Sequence, residues 1–141
     1  MLVVKRFTSE DKALSGKALA IRHKVFVIEQ GVDPVLEHNH DEEAHHYLLC
    51  MGRKVIATAR WREVNGKIKL ERFAVLPKFR SRGFGKVILL EVLIDVLPLM
   101  KPIYLHAQLA AVRFYERNGF KKEGEKFTEA GIEHYYMRYS G

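Results

Sequence analysis

The stretch that most constrains the fold runs from Lys69 to Leu97, KLERFAVLPKFRSRGFGKVILLEVLIDVL. It reads as a strand (Lys67 to Val75), a basic glycine turn (Lys78 to Lys86) and a long apolar helix (Gly83 to Leu97). The turn holds Lys78, Arg80, Arg82 and Lys86, with glycines at Gly83 and Gly85. Glycine lets backbone approach a ligand, and the first amides of a helix have no partner within it. Those free N–H groups, the positive end of the helix dipole and the cations together make an anion site. Counting excludes two common phosphate motifs. A P-loop needs Gly, four residues, then Gly-Lys-Ser/Thr, but Val87 follows Gly85-Lys86 and Arg80 stands where the first glycine belongs. A dinucleotide fingerprint needs a third small residue three after the second glycine, and Ile88 is there.

The rest of the chain supplies a sheet for this unit. Leu2 to Phe7 reads as a strand, and Thr8-Ser9-Glu10-Asp11 as a helix start with a hydroxyl cap and acids in the first turn. Leu14, Ala18, Ile21, Val25 and Ile28 recur at helical spacing, with Gly16 a point where that helix could split. Gly31 and Pro34 stop it. Asp33 to Ala44 reads as a solvated acidic loop and His46 to Met51 as a short strand. Val55 to Val64 and Lys67 to Val75 flank Asn65-Gly66, a strong hairpin signal. The apolar phase flips between Leu70 and Phe73, which predicts a β-bulge. In the helix after the turn only Glu91 and Asp95 mark a wet stripe, so it should be buried on most sides. Ile103 to Gln108 reads as a strand, Leu109 to Asn118 as a helix, and Phe120 to Phe127 with Glu133 to Tyr139 as an antiparallel pair. The order β-α-β-β-β-α-β-α-β-β predicts an α/β or α+β domain with a mixed sheet, spanning residues 1–141.

Composition narrows the function classes. Apolar and charged fractions of 48% and 29% are those of an ordinary soluble protein. A single cysteine, Cys50, cannot form a disulfide within one chain, which agrees with a cytoplasmic location. The N-terminus has too short an apolar run for a signal peptide. The longest apolar stretch, Val87 to Met100, is interrupted by Glu91, Asp95 and Pro98, so no membrane span is expected. The net charge of +7 admits a polyanionic partner. Between Val25 and Gly52, however, the chain has no Lys or Arg and six acids: Glu29, Asp33, Glu37, Asp41, Glu42 and Glu43.

Two motifs then identify a resemblance. Arg80-Ser81-Arg82-Gly83-Phe84-Gly85 resembles the Q/R-x-x-G-x-G/A signature of the GNAT superfamily of acyl-CoA-dependent N-acetyltransferases. Ala111-Val112-Arg113-Phe114-Tyr115-Glu116-Arg117-Asn118-Gly119-Phe120 resembles that family's A-x-x-F-Y-x-x-x-G-F motif. Phe26-Val27-Ile28-Glu29-Gln30 and Ala107-Gln108 resemble the ElaA/YjcF-like branch. The likeness covers nearly the whole chain. It implies the GNAT fold: a mostly antiparallel sheet with helices on both faces and one splayed parallel pair, here Lys67–Val75 and Ile103–Gln108. It also implies acetyl-CoA as cosubstrate between those strands. The expected cofactor-binding residues are Phe73, Ala74 and Val75 for the pantetheine arm and thioester, and Arg80, Ser81, Arg82, Gly83, Phe84, Gly85 and Lys86 for the pyrophosphate. Gln108 joins them, where many members carry Asn.

The chemistry needs a base, because an alkylammonium with pKa ~10.4 cannot attack until it loses a proton. It also needs an acid for the leaving thiolate. The resemblance assigns the acid to Tyr115; the simpler alternative is a core tyrosine. Glu71, at the predicted bulge, is the candidate base; the alternative is a strand residue paired with Arg72 or Lys69. Glu29 is a second candidate, though a helix-end salt bridge explains it more simply. His38, His40, His45 and His46 with Asp41, Glu42 and Glu43 do not form an HExxH pattern, and no metal is expected. The acids there could instead form a wall that attracts a cationic amine, with His46 as a contact. Cys50 reads as a buried thiol, Trp61 as a strand aromatic, and Phe114 and Phe120 as core.

The leading expectation is an N-acetyltransferase acting on a primary amine of a small molecule or peptide. Two alternatives stay open: an acyl-CoA-binding sensor of the same fold, and a basic nucleic-acid-binding module motivated by the charge and Trp61. The last strand pair offers a surface for a homodimer.

Overall fold

The computed structural model describes residues 1–141. β1 (Leu2–Phe7) leads into α1 (Lys12–Arg22), which continues as a π-helical segment, His23–Glu29. A short α2 (Pro34–Glu37) and a 3-10 turn (Asp41–Glu43) precede β2 (His45–Met51), β3 (Lys54–Val64) and β4 (Lys67–Val75). Then come α3 (Phe84–Val96), β5 (Ile103–Gln108), α4 (Val112–Arg117), β6 (Phe120–Glu129) and β7 (Ile132–Tyr139). The strands form one seven-stranded sheet in the order β1-β2-β3-β4-β5-β7-β6. Only β4 and β5 run parallel. This is the mixed sheet expected from the element order.

Local chemistry accounts for the joints. Asn65 and Gly66 take positive φ, 50° and 79°. That is the two-residue turn whose twist matches a hairpin. Ala130 and Gly131 (φ 52° and 77°) repeat it between β6 and β7. The phase flip in β4 is a bulge: Thr58 faces Ala74 while Arg60 faces Glu71, two steps against three. Arg72 absorbs the extra residue at φ 57°.

The sheet is covered on both faces. On one, Ile88, Leu89 and Val92 of α3 pack with Tyr47, Leu49, Ile68, Leu70 and Leu105. On the other, Ala18, Ile21 and Val25 pack with Leu48, Cys50 and Ala74. Cys50 is a buried free thiol, as expected.

Three local expectations need correction. Asp11, not the Thr8-Ser9 pair, caps α1, accepting from the Leu14 amide at 3.0 Å, and Gly16 does not interrupt the helix. The wet side of α3 is wider than its acids, which are each about a third exposed. Glu91 and Asp95 lean to the sheet edge and hold Arg6 at 2.8 and 2.7 Å, and Asp95 also accepts from Tyr47. Solvent also meets Leu90, Ile94 and Leu97. Finally, the acidic segment is only partly a solvated loop: Asp33, Glu42 and Glu43 are exposed, but two of its acids are not. Glu37 is only 2% exposed and Asp41 is half-buried, because Arg22 points inward from α1 and needs carboxylates.

Candidate active site

The parallel pair is short. Ile68 faces Ile103, Lys69 faces Tyr104 and Leu70 faces Leu105; beyond that the strands part, just where Arg72 bulges β4. Two cavities lie along this split, one at the α3 end and one beneath α2 and the β6–β7 hairpin.

The first cavity, about 580 Å³, is lined by Val75, Phe79, residues of the basic turn, Phe114 and Arg117. The backbone amides of Ser81 to Lys86 have no acceptor in the chain; the first bond of α3 is from Val87 to Gly83 at 3.2 Å. Gly83 caps the helix in the left-handed region (φ 81°), and no side chain caps its amides. A Cβ on Gly85 would rest 3.5 Å from the Phe114 ring, so a larger side chain would press into the cavity wall. These features fit a phosphate-bearing cofactor: oriented N–H groups, a helix dipole and cations in a cavity. The cations are fewer than the turn implies. Arg80 is bound to Glu29 by two bonds of 2.6 and 2.8 Å, and its Nε donates to the Val75 carbonyl at 2.9 Å. Arg80 therefore ties the end of β4 to the helix instead of presenting a free charge. Glu29 is the helix-end salt bridge. Lys86 and Arg117 line the cavity with no ion pair in the chain, and Arg82 lies on the adjoining turn.

The second cavity, about 490 Å³, is lined by Phe73, Tyr115, Gln108 and a large set of ionisable groups. One wall is an ion network. Arg22 binds Glu37 and, at 2.8 Å, Asp41. Asp41 accepts from Arg60 at 2.6 Å, and Arg60 contacts Glu71 at 3.1 Å. Glu71 also holds Arg62 at 2.8 Å and Lys69 at 3.2 Å. Burial pushes the Glu71 carboxyl up, but Arg62, Arg60 and Lys69 outweigh it and hold the pKa at about 2. Asp41 is likewise held low against burial by Arg22 and Arg60. His46 donates to the Asp41 carbonyl at 2.9 Å, and burial lowers its pKa. The acids are thus paired with cations, although Glu37 and Glu71 also line the cavity.

The opposite wall is built by the last hairpin. Glu129 accepts from His106 Nδ1 at 3.2 Å, and His134 Nε2 lies 3.9 Å from its other oxygen. The His106 hydrogen bond holds the Glu129 carboxyl low. A carboxylate only accepts, so His106 carries its proton on Nδ1 and leaves Nε2 available in the neutral ring. His134 donates through Nδ1 to the Ile132 carbonyl at 2.8 Å.

The family model described as "Acetyltransferase (GNAT) domain" matches residues 8–140. The chain belongs to the GNAT acetyltransferase family. The Bacillus subtilis protein named "Uncharacterized N-acetyltransferase YjcF" is 36% identical over 134 residues, covering 85% of this chain and 88% of that one. An acyl-CoA N-acyltransferase from Pseudomonas aeruginosa superposes with a TM-score of 0.85 at 26% identity, over 99% of this chain and 100% of that one. Escherichia coli ElaA shares the fold with a TM-score of 0.86 at 23% identity, over 98% and 99%. So does an Elizabethkingia anophelis GNAT acetyltransferase with acetyl-CoA bound: TM-score 0.69, 16% identity, 97% and 94%.

In this GNAT acetyltransferase the expected residues fall into two groups. Val75, Arg80, Ser81, Gly83, Phe84, Gly85 and Lys86 gather at the first cavity, with Arg82 on the same turn. Glu71, Phe73, Gln108 and Tyr115 gather at the second. Ala74 is buried against α1. Gln108 donates to Gln30 at 2.9 Å, joining β5 to the end of the first helix. Tyr115 is buried among Phe73, Phe114 and Phe120. Burial alone raises its pKa, no hydrogen bond from the chain engages its hydroxyl, and the phenol keeps its proton at neutral pH. Trp61 is a sheet aromatic, stacked on His45 and donating to Tyr47 at 2.9 Å. Sequence reading missed His106, Glu129 and His134. The one local signal was period-two alternation, which puts Tyr104, His106 and Gln108 on one face of β5.

Proposed function

We propose that this acetyltransferase moves an acetyl group from acetyl-CoA to a primary amine of a small molecule or peptide, by direct attack on the thioester. The observation that carries the reading is the split between β4 and β5. It has unpartnered amides at its α3 end and the neutral Tyr115 hydroxyl in the cavity at its other end. Acetyl-CoA bound to the distant Elizabethkingia relative supports the choice of cosubstrate. The amides of Ser81 to Lys86, with Arg82, Lys86 and Arg117, would hold the pyrophosphate. The bulged backbone at Phe73 to Val75 would meet the pantetheine arm and polarise the thioester carbonyl.

The chemistry at the second cavity then has three proton transfers. His106 Nε2 takes one proton from the ammonium, directly or through water, while Glu129 orients the ring. The neutral amine nitrogen forms its bond to the carbonyl carbon, the C–S bond breaks, Tyr115 gives its proton to the departing thiolate, and the resulting phenolate takes the second proton from the nitrogen as the amide forms. Glu71 was the expected base. With three cations on one carboxylate and a pKa of about 2, it serves better as an anchor for Lys69 and Arg62 than as a proton acceptor. The buried free thiol of Cys50 supports a reducing, cytoplasmic setting. No helix is long and apolar enough to cross a membrane.

The test has two readouts. Acetyl-CoA at 100 times its Kd should stabilise the fold by ~2.7 kcal/mol. A panel of primary amines should then yield at least one that releases free thiol at a rate set by the enzyme. No stabilisation by acetyl-CoA would overturn the reading.

A further inference from the structure

The wall around Glu71 has more positive charge than it can neutralise. Arg22, Arg60, Arg62, Lys69 and Arg72 share only three carboxylates, Glu37, Asp41 and Glu71. Four of these are not solvated surface groups, while Arg72 is 27% exposed. Arg22 and Arg60 are 2% and 0% exposed, and Arg62 and Lys69 are each 13% exposed. A cationic surplus held out of water is costly unless an anion meets it.

Arg72 is the cation with the longest contact to a carboxylate. It sits on the bulge at positive φ, and a bulge can re-aim a side chain toward a site. Its guanidinium reaches only the Glu37 and Leu36 carbonyls, at 3.4 and 3.3 Å, and its nearest carboxylate oxygen is 3.9 Å away. Burial and the nearby Arg60 lower its pKa, which marks a charge in want of a counter-ion. Lys69 has one partner, the already shared Glu71. Both side chains line the cavity of Tyr115 and His106.

We infer that Arg72 and Lys69 bind an oxyanion of the acceptor, so that the acceptor is a small primary amine that also carries a carboxylate. This rests on the acetyl-transfer reading above. The cationic field also disfavours the ammonium form of the incoming nitrogen, which favours the nucleophilic neutral amine. The acidic wall imagined from the sequence points the other way, toward a purely cationic acceptor. The pairing of Glu37 and Asp41 with arginines removes that attraction.

The experiment uses a ladder of ω-amino acids, from glycine to 6-aminohexanoate, each beside its carboxamide, with aminoethylphosphonate as a second oxyanion. At the best chain length the amino acid should exceed its amide in kcat/KM by ~10-fold or more, the size of one charge-assisted contact. Arg72→Gln and, separately, Lys69→Gln should each shrink that ratio, with retained acetyl-CoA stabilisation showing that the variant is folded. Lys69→Gln decides the matter if Arg72→Gln does not fold. Amides that match the amino acids, or a ratio that survives both substitutions, would overturn the inference. If no ladder member reacts, calorimetric titration into CoA-saturated protein decides. Binding of the amino acids without the amides sustains it, and binding of neither overturns it, while acetyl-CoA stabilisation would still stand for the cofactor reading.

Discussion

A carboxylate shared by Arg60, Arg62 and Lys69 has no lone pair to spare, whereas His106 has one nitrogen pinned by Glu129 and the other free. This contrast separates the two candidate bases experimentally. His106→Gln should lower kcat by about 10²-fold and remove an ionisation from the pH–rate profile. Glu71→Gln should act mainly on folding stability. Tyr115→Phe should also lower kcat by about 10²-fold while acetyl-CoA binding is retained. Equal turnover by Tyr115→Phe would remove the phenol from the mechanism. Tyr115 was legible because it sits in a contiguous motif. The His106–Glu129 pair was not, since 23 residues and a hairpin return separate them and nothing local marks their meeting. Arg22 was hidden for a similar reason: a lone arginine on an amphipathic helix reads as solvent-facing until its buried carboxylates are known.

At the scale of elements, the strand–turn–helix unit folds as its sequence predicts, and its charges divide by partner. Arg80 is a strut between Val75 and Glu29, while Arg82 and Lys86 have no ion pair within the chain. Replacing Arg82 and Lys86 together by Ala should raise the acetyl-CoA Kd by ~10-fold or more and flatten its salt dependence. Arg80→Ala should leave that salt dependence intact. Calorimetric titration at two ionic strengths distinguishes the pair from the strut; an unchanged salt slope in the double variant would sink the assignment. The hairpins and the bulge were readable from turn residues and a phase flip. The orientation of α3 was not, because its acids turn to Arg6, 85 and 89 residues away in sequence.

For the molecule as a whole, the ion network links α1, α2, β3 and β4 across the sheet. Glu71 and Asp41 have folded-state pKa values below their ordinary ones. Their contribution is therefore complete above the unfolded carboxyl pKa and is lost as pH falls through the folded value. For Glu71 that window runs from 4.5 down to about 2. Glu71→Gln should cost about 3 kcal/mol at pH 7, with the gap closing as pH drops toward 2. Denaturant unfolding at pH 7 and pH 3 measures it; a gap that stays constant would show that the charge is not the source. Element order was written in the chain, but the sheet order and the burial of Glu37 were not, since both depend on which strand edges meet.

The meeting of β4 and β5 has a mechanical side. Three residue pairs join them, against seven between β2 and β3 and five between β5 and β7. The sheet is two leaves held by one short seam. Amide hydrogens beside the seam should exchange ahead of those inside either leaf. An amide-rich arm lying in the gap would add stitches to both edges, so the proposed cosubstrate would close the tear that gives it room.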